Sequence, residues 1–350
     1  MPLQVTVDAQ EVNWQSVEYG FGGDRDTNPR TPTVDVGRGR LTVSGTPAFG
    51  RVECVVSVGE TKLWECWAEH QKTHRHQHVQ YDLLGKLDDR RAFTLSSGGD
   101  SNANQFADRL AAAFGVAADE VTLKVGSTPF RPFEFAGTSG GFAALYSLAA
   151  GGTPIATVDG GLLIVDPVTP PSDRQTLNLT NNVYDAYSDE SDFRLWNRIL
   201  VPHDTGHGIV ETTVDNPVSI AEWGLRTLDL PDFVSTNATA LIRSRLNNLA
   251  QPRYLHDVEL DAGLPANQTL NPGDFVNARI VDAARQVNIN AVCLVLHASY
   301  RLNRLASPVK HLVLVESGTV QPANAPIITE AGSDITAEDG DTIITEGVAA

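Results

Sequence analysis

The chain has 350 residues, and 43 Asp and Glu against 26 Lys and Arg give it a formal charge of -17. A surface of that sign favours solubility and repels a phosphate backbone, which excludes a nucleic-acid grip, and no stretch is long and apolar enough to span a bilayer. Cys54, Cys66 and Cys293 are too few and scattered for a disulfide scaffold, although Cys54 and Cys66 can meet across neighbouring strands, so reduced thiols made in a cytoplasm are the expectation.

The amino end, MPLQVTVDAQEVNW, alternates like a strand and lacks the basic region and apolar run of a secretion signal. Residues 1 to about 95 read as short strands separated by turns such as Asn28-Pro29-Arg30 and Gly45-Thr46-Pro47, the pattern of a barrel or sandwich. Gly20 to Gly23 (GFGG) is read as a turn; Asp24 and Asp26 behind it oppose an anion, so it is no phosphate loop. Trp64 and Trp67 fall on opposite faces of one strand, which predicts one inside the barrel and one at an interface. His74, His76 and His78 alternate after Cys66 and His70, so an extended strand points all three to one side, where imidazoles can share a metal. Lys72 and Arg75 lie among them and repel a cation, so a solvated hairpin is expected and no metal site is assigned.

From Ser101 the period changes: Phe106, Leu110, Ala113 and Phe114 fit a helix ending at Gly115. Ser139, between Gly137 and Gly141, superficially resembles a protease nucleophile loop, but no base accompanies it and it is better placed as a cap or turn before a helix over Phe142 to Ala149. Gly151-Gly152 stops that helix, Leu162 to Val165 reads as a buried strand, and Pro167, Pro170 and Pro171 mark a linker. His203 and His207 are four apart but fall in a Gly-containing loop, without a helix to align them on a metal. Trp196 and Trp223 are expected in the core. Ser235 or Thr236 caps a helix with Ala238, Leu241, Ile242, Leu246 and Leu249 on one face, packed on a β wall. Leu255, Val258 and Leu260 are strand-like, Pro272-Gly273-Asp274 turns into Phe275, Val276, Ala278 and Ile280, and Ala291 to Tyr300 and Lys310 to Val315 are the last strands. At the carboxyl end Ile327, Ile335 and Ile343, Glu330, Glu338 and Glu346, and Gly332 and Gly340 share one spacing of eight, an internal repeat too short to bury a core alone.

These parts stand in a particular order: GRVECVVSVG from Gly50, LWECWAE from Leu63, VQYDLLGKL from Val79, GFAALYSLAA from Gly141, TPIATVDGGLLIVDP over Thr153 to Pro167, YSDESDFRLWNRI from Tyr187, AEWGLRTLDL from Ala221, then Arg253-Tyr254 and the PGD turn. The series, covering roughly residues 40 to 316, resembles the hub or minor tail proteins of tailed bacteriophages. The resemblance implies an α+β, mainly β chain of two barrel-like domains with an inserted helix-containing segment and a short repeat tail. The divisions expected are 1–93 and 171–318 for the hub barrels, 94–170 for the insertion and 319–350 for an acidic extension that contacts tip components.

By the same resemblance the chain is a non-enzymatic homotrimer at the virion tail tip, made in the host cytoplasm. It joins a hexameric tail tube or distal tail protein to fibre or tip proteins and meets the tape-measure protein, with no cofactor. His76-Gln77-His78 resembles the ligand pair with which some phage spike tips hold iron. One alternative is a receptor- or glycan-binding tip protein using Trp14, Tyr19 and Tyr187. The other is a tail-associated hydrolase, which needs paired acids or a metal in a cleft. The first forty residues and the His-rich hairpin depart from the family pattern.

Overall fold

The computed structural model describes residues 3–23, 34–45, 50–73, 78–86, 92–96, 121–124, 134–138, 153–165, 170–178, 183–189, 195–204, 207–229, 233–234, 250, 254–282 and 287–317. All belong to the first of two compact units, residues 1–319; the second, residues 320–350 with the eightfold repeat, lies outside them.

Alternation of apolar and polar residues builds the first seven strands into a barrel wall. Strand β1 (Leu3–Val7) turns through Asp8 and Ala9, both at positive φ, into β2 (Gln10–Glu11), and β3 (Asn13–Gly23) begins one residue later. They are followed by β4 (Val34–Ser44), β5 (Arg51–Val58), β6 (Thr61–Thr73) and β7 (His78–Leu84). The antiparallel path β1-β5-β6-β7-β4-β3 returns to β1 through β2 and through the Val12 amide, which donates to Val5 O at 2.9 Å. Closure satisfies strand edges that would otherwise invite mispairing. The GFGG segment is therefore strand, not turn. Phe21 has to reach the core, and the glycines beside it let β3 pass close to its neighbours.

The middle of the chain contributes β8 (Ala92–Ser96), β9 (Val121–Lys124), β10 (Glu134–Thr138) and the hairpin β11 (Thr153–Ala156) and β12 (Leu162–Val165), with β12 also parallel to β9. Next come β13 (Gln175–Leu177), β14 (Val183–Asp189), the hairpin β15 (Arg198–Asp204) and β16 (Ile209–Asp215), helix α1 (Pro217–Trp223), β17 (Thr227–Asp229) and β18 (Phe233–Val234). The last elements are β19 (Leu255–Asp261), the one-turn helix α2 (Pro265–Gln268), β20 (Phe275–Asp282), β21 (Val287–Asn303) and β22 (Val309–Glu316). The helices expected over 101–115, 142–149 and 235–249 lie outside the described residues.

Strand β21 joins the two strand-rich regions. Its first half pairs with β20, a bulge at Val295 to His297 bends it, and its second half pairs with β3, while β22 runs beside it. One 13-stranded, mainly antiparallel sheet results, and the chain is mainly β. The core beneath it is aromatic at its centre: Trp64 stacks on Tyr19 with centroids 5.4 Å apart and meets Tyr300 at 4.8 Å. A smaller cluster packs Ile155, Leu163 and Val165 of the β11–β12 hairpin on Leu294, Leu296, Val313 and Val315.

Candidate interaction surface

Because side chains alternate across a sheet, register sets which residues share its outer face. Arg51, Glu69, Asp82, Arg40, Glu18 and Arg301 stand directly opposite one another on β5, β6, β7, β4, β3 and β21, and the row continues through Val309 to Asp261. Charges of both signs thus cross eight strands. Arg51 Nε lies 3.5 Å from Glu69 and Arg301 Nε 3.7 Å from Glu18. Such exposed pairs add little stability. The neighbouring row holds Arg38, Gly20, Ser299, His311 and Glu259, and at Gly20 the missing side chain opens a shallow groove of about 600 Å³ rimmed by Arg38, Arg40 and Arg301. A Cβ at Gly20 would lie 3.0 Å from the His297 ring and 3.1 Å from Ser299 Cβ, so a side chain there would press on both neighbours. The Asp257 carboxylate lies 3.1 Å from the His311 ring, and the buried His256 shares a hydrogen bond with Glu316 at 3.1 Å.

The turn of the β11–β12 hairpin docks beside this face. Lys62 Nζ donates to Asp159 and to Glu65, each at 2.6 Å, and the Glu65 amide donates to Val158 O at 2.7 Å. Lys86 binds Glu53 at 2.8 Å and also Glu65, and its ammonium sits 5.3 Å from the Trp67 ring centroid, with the Arg51 guanidinium at 5.6 Å. The two tryptophans therefore divide as the strand period requires: Trp64 is core, and Trp67 is half-buried beneath cations.

The PGD turn is closed by its own residues. Asp274 accepts from the Asn271 amide at 2.7 Å, while the Gly273 amide donates to Val295 O and the Val295 amide to Asp274 O, both at 2.8 Å. Gly273 has φ +94°, and a Cβ there would run into Leu163 Cδ2. The turn thus requires glycine for its backbone, and a side chain there would also displace the end of Leu163. Beneath it Lys310, at 0% exposure, donates to Asn267 O at 2.8 Å and to Leu270 O, with its ammonium 4.9 Å from the Tyr300 ring centroid. Burial pulls its pKa down to about 7, against the opposing pull of the Asp274 charge. The side chain thus ties the last turn of α2 and the residues that follow it to β22.

A second buried polar residue organises the AEWGLR phrase. Asn197 donates to Gly224 O at 2.6 Å and accepts from the Arg226 amide at 2.8 Å, and the Asn216 side chain caps α1 by accepting from Ser219 N at 3.1 Å. Asn-Pro at 216–217 is a legible cap-plus-first-turn signal, and Lys310 betrays itself by sharing the phase of Leu312 and Leu314.

Of the residues singled out from sequence, His74 and His76 lie outside the described residues. His78 opens β7 with Nδ1 3.4 Å from Ser44 Oγ. His203 is not in a loop: it lies in β15 opposite Val210, while His207 is exposed beyond the strand. Tyr19 is buried in the aromatic stack and is not available to a sugar, Trp14 is half-buried, and Trp196 and Trp223 are half-buried rather than core. Tyr187 lies in β14. Among the described residues, no three His, Cys, Asp or Glu side chains are grouped to hold a metal, and no helix is long and apolar enough to cross a membrane. Cys54 and Cys66 face each other in register, wholly buried. Burial first, then the bond and charge shared with Cys54, push the Cys66 thiol up, with Trp64 acting the other way; burial and then Glu316 raise that of Cys293.

No protein-family profile and no curated protein sequence matches the chain. Solved structures do. The tail protein of Neisseria meningitidis MC58 aligns at TM-score 0.60 and 18% identity over 90% of this chain and 96% of its own. The 43 kDa tail protein of prophage MuSo2 from Shewanella oneidensis aligns at TM-score 0.57 and 14% identity over 90% and 98%. An Escherichia coli type VI secretion component, described as structurally similar to the T4 phage tail proteins gp27 and gp5, aligns at 0.51 and 12% over 90% and 77%. The fold is thus that of phage tail proteins, as the ordered motifs imply.

Proposed function

We propose that a chain with the fold of phage tail proteins serves as the hub at the distal end of a phage tail tube, a structural virion protein made in the host cytoplasm. Three copies would each present two barrel-like regions, so that a threefold assembly offers a pseudo-sixfold ring to a hexameric tube or distal tail protein. Inside, it would meet the tape-measure protein; outside, it would carry the fibre or tip proteins that attach to the host, with the 319–350 extension among the contacts. No catalytic step is required. The observation that carries this reading is the continuous sheet spanning both strand-rich regions, with a charged outer row crossing eight strands, in a fold shared with tail proteins over nine-tenths of the chain. A face of mixed charge selects partners by complementarity rather than by apolar adhesion.

Native mass spectrometry with electron-microscopy class averages of the purified chain tests the proposal. A threefold ring, alone or on addition of tube protein, is expected. A monomer that stays monomeric with the tube and neighbouring tail proteins would overturn it, and specific binding of that monomer to host envelopes would establish the tip-binding alternative. Deleting residues 319–350 should leave a folded protein with weakened attachment of tip components.

A further inference from the structure

We propose that Cys54 and Cys66 are an oxidation site that closes into an intramolecular disulfide across β5 and β6. The two residues stand directly opposite each other in antiparallel register, and both are wholly buried. Opposed residues of antiparallel strands have Cα atoms about 4.5 or 5.5 Å apart, and both separations fall within the roughly 4.4–6.8 Å that a disulfide spans. Closing the bond therefore asks for side-chain rotation and no shift of the wall. Cys293 has no such opportunity: Val276 of β20 and Glu316 of β22 stand opposite it.

The step balances with an external two-electron oxidant of the disulfide or azo class. Each thiol gives up its hydrogen, one S–S bond forms, and two electrons and two protons pass to the oxidant, leaving two thiols from oxidised glutathione or a hydrazine from diamide. Burial keeps both sulfurs from the oxidant until the wall opens, so the dithiol persists in a reducing cytoplasm and pairs slowly in oxidising surroundings. The bond would tie strands that are already paired, leave the outer charged row in place, and constrain only the unfolded chain. This inference is independent of the hub reading, since it concerns one barrel wall in one copy.

The experiment exposes the full-length protein to diamide, with and without sub-denaturing urea, and to a glutathione refolding buffer. The protein is then denatured, alkylated and weighed. One alkylated thiol in place of three is expected, with a peptide linking Cys54 to Cys66 that dithiothreitol releases and a formation rate that rises with urea. The oxidised protein should melt about 2–5 °C higher, a gain absent from C54S and C66S and kept by C293S. Three alkylatable thiols after oxidative refolding, or a link that includes Cys293, would overturn the proposal.

Discussion

Two regions of the core meet at Tyr300 and are held by different physics. On one side its ring packs on Trp64, itself stacked on Tyr19, so the barrel interior is held by apolar area and close packing. On the other side the Lys310 ammonium lies over the same ring and is bound by two backbone carbonyls of the α2 segment. The first region loses stability when volume is removed. The second loses it when a donor is removed, because two buried carbonyls each give up a hydrogen bond.

The largest expected effect is on the aromatic side. Trp64→Ala should cost about 3–5 kcal/mol in urea unfolding, since it empties the centre of the stack; a loss below about 1 kcal/mol would mean the core collapses around the gap. Lys310→Met keeps the volume but removes the hydrogen bonds to Asn267 O and Leu270 O, and should cost about 2 kcal/mol. Its pH dependence sharpens the contrast. Between pH 7 and the ordinary lysine range the folded side chain is neutral while the unfolded one is charged, so unfolding takes up a proton and wild-type stability rises with pH. The ceiling is about 1.4 kcal/mol per pH unit, and the gap between wild type and K310M should therefore widen above pH 7. Parallel profiles would show that Lys310 stays charged in the fold.

Gly273→Ala tests the seam between the PGD turn and the β11–β12 hairpin. It should cost about 2 kcal/mol and speed amide exchange in the hairpin, because both the φ of +94° and Leu163 oppose a methyl group. The smallest effect belongs to the outer face. Arg301→Ala or Glu18→Ala should change stability by less than about 0.5 kcal/mol while, on the proposed function, weakening assembly with neighbouring tail components. A large loss of stability from either would transfer the outer row from recognition to folding.

Much of this was legible in the residues. The ordered motifs placed β5, β6 and β7, local apolar pattern placed β19, β20 and β22 close to where they lie, and the period of two separated Trp64 from Trp67. It also made the facing of Cys54 and Cys66 a possibility, which the pairing of β5 with β6 realised. The GFGG segment was misread because glycines signal turns locally, whereas here they allow close approach to β21. His203 was misread because Pro202 and the glycines nearby mask a paired strand. The Tyr19 ring looked like a surface aromatic because its burial depends on Trp64 and Tyr300, far away in the chain.

Local pattern, composition and motif order determined the strand-rich class, the hairpins and the likeness to tail proteins, because these depend on propensities and periods written within a few residues. Only the tertiary structure decided that β3 pairs with β21. That pairing joins residues some 280 positions apart into one sheet, sets the charged row in register and leaves Lys310 buried beneath the PGD turn. Such outcomes depend on which distant strands lie side by side, and a one-residue change of register would send every side chain of a strand to its other face.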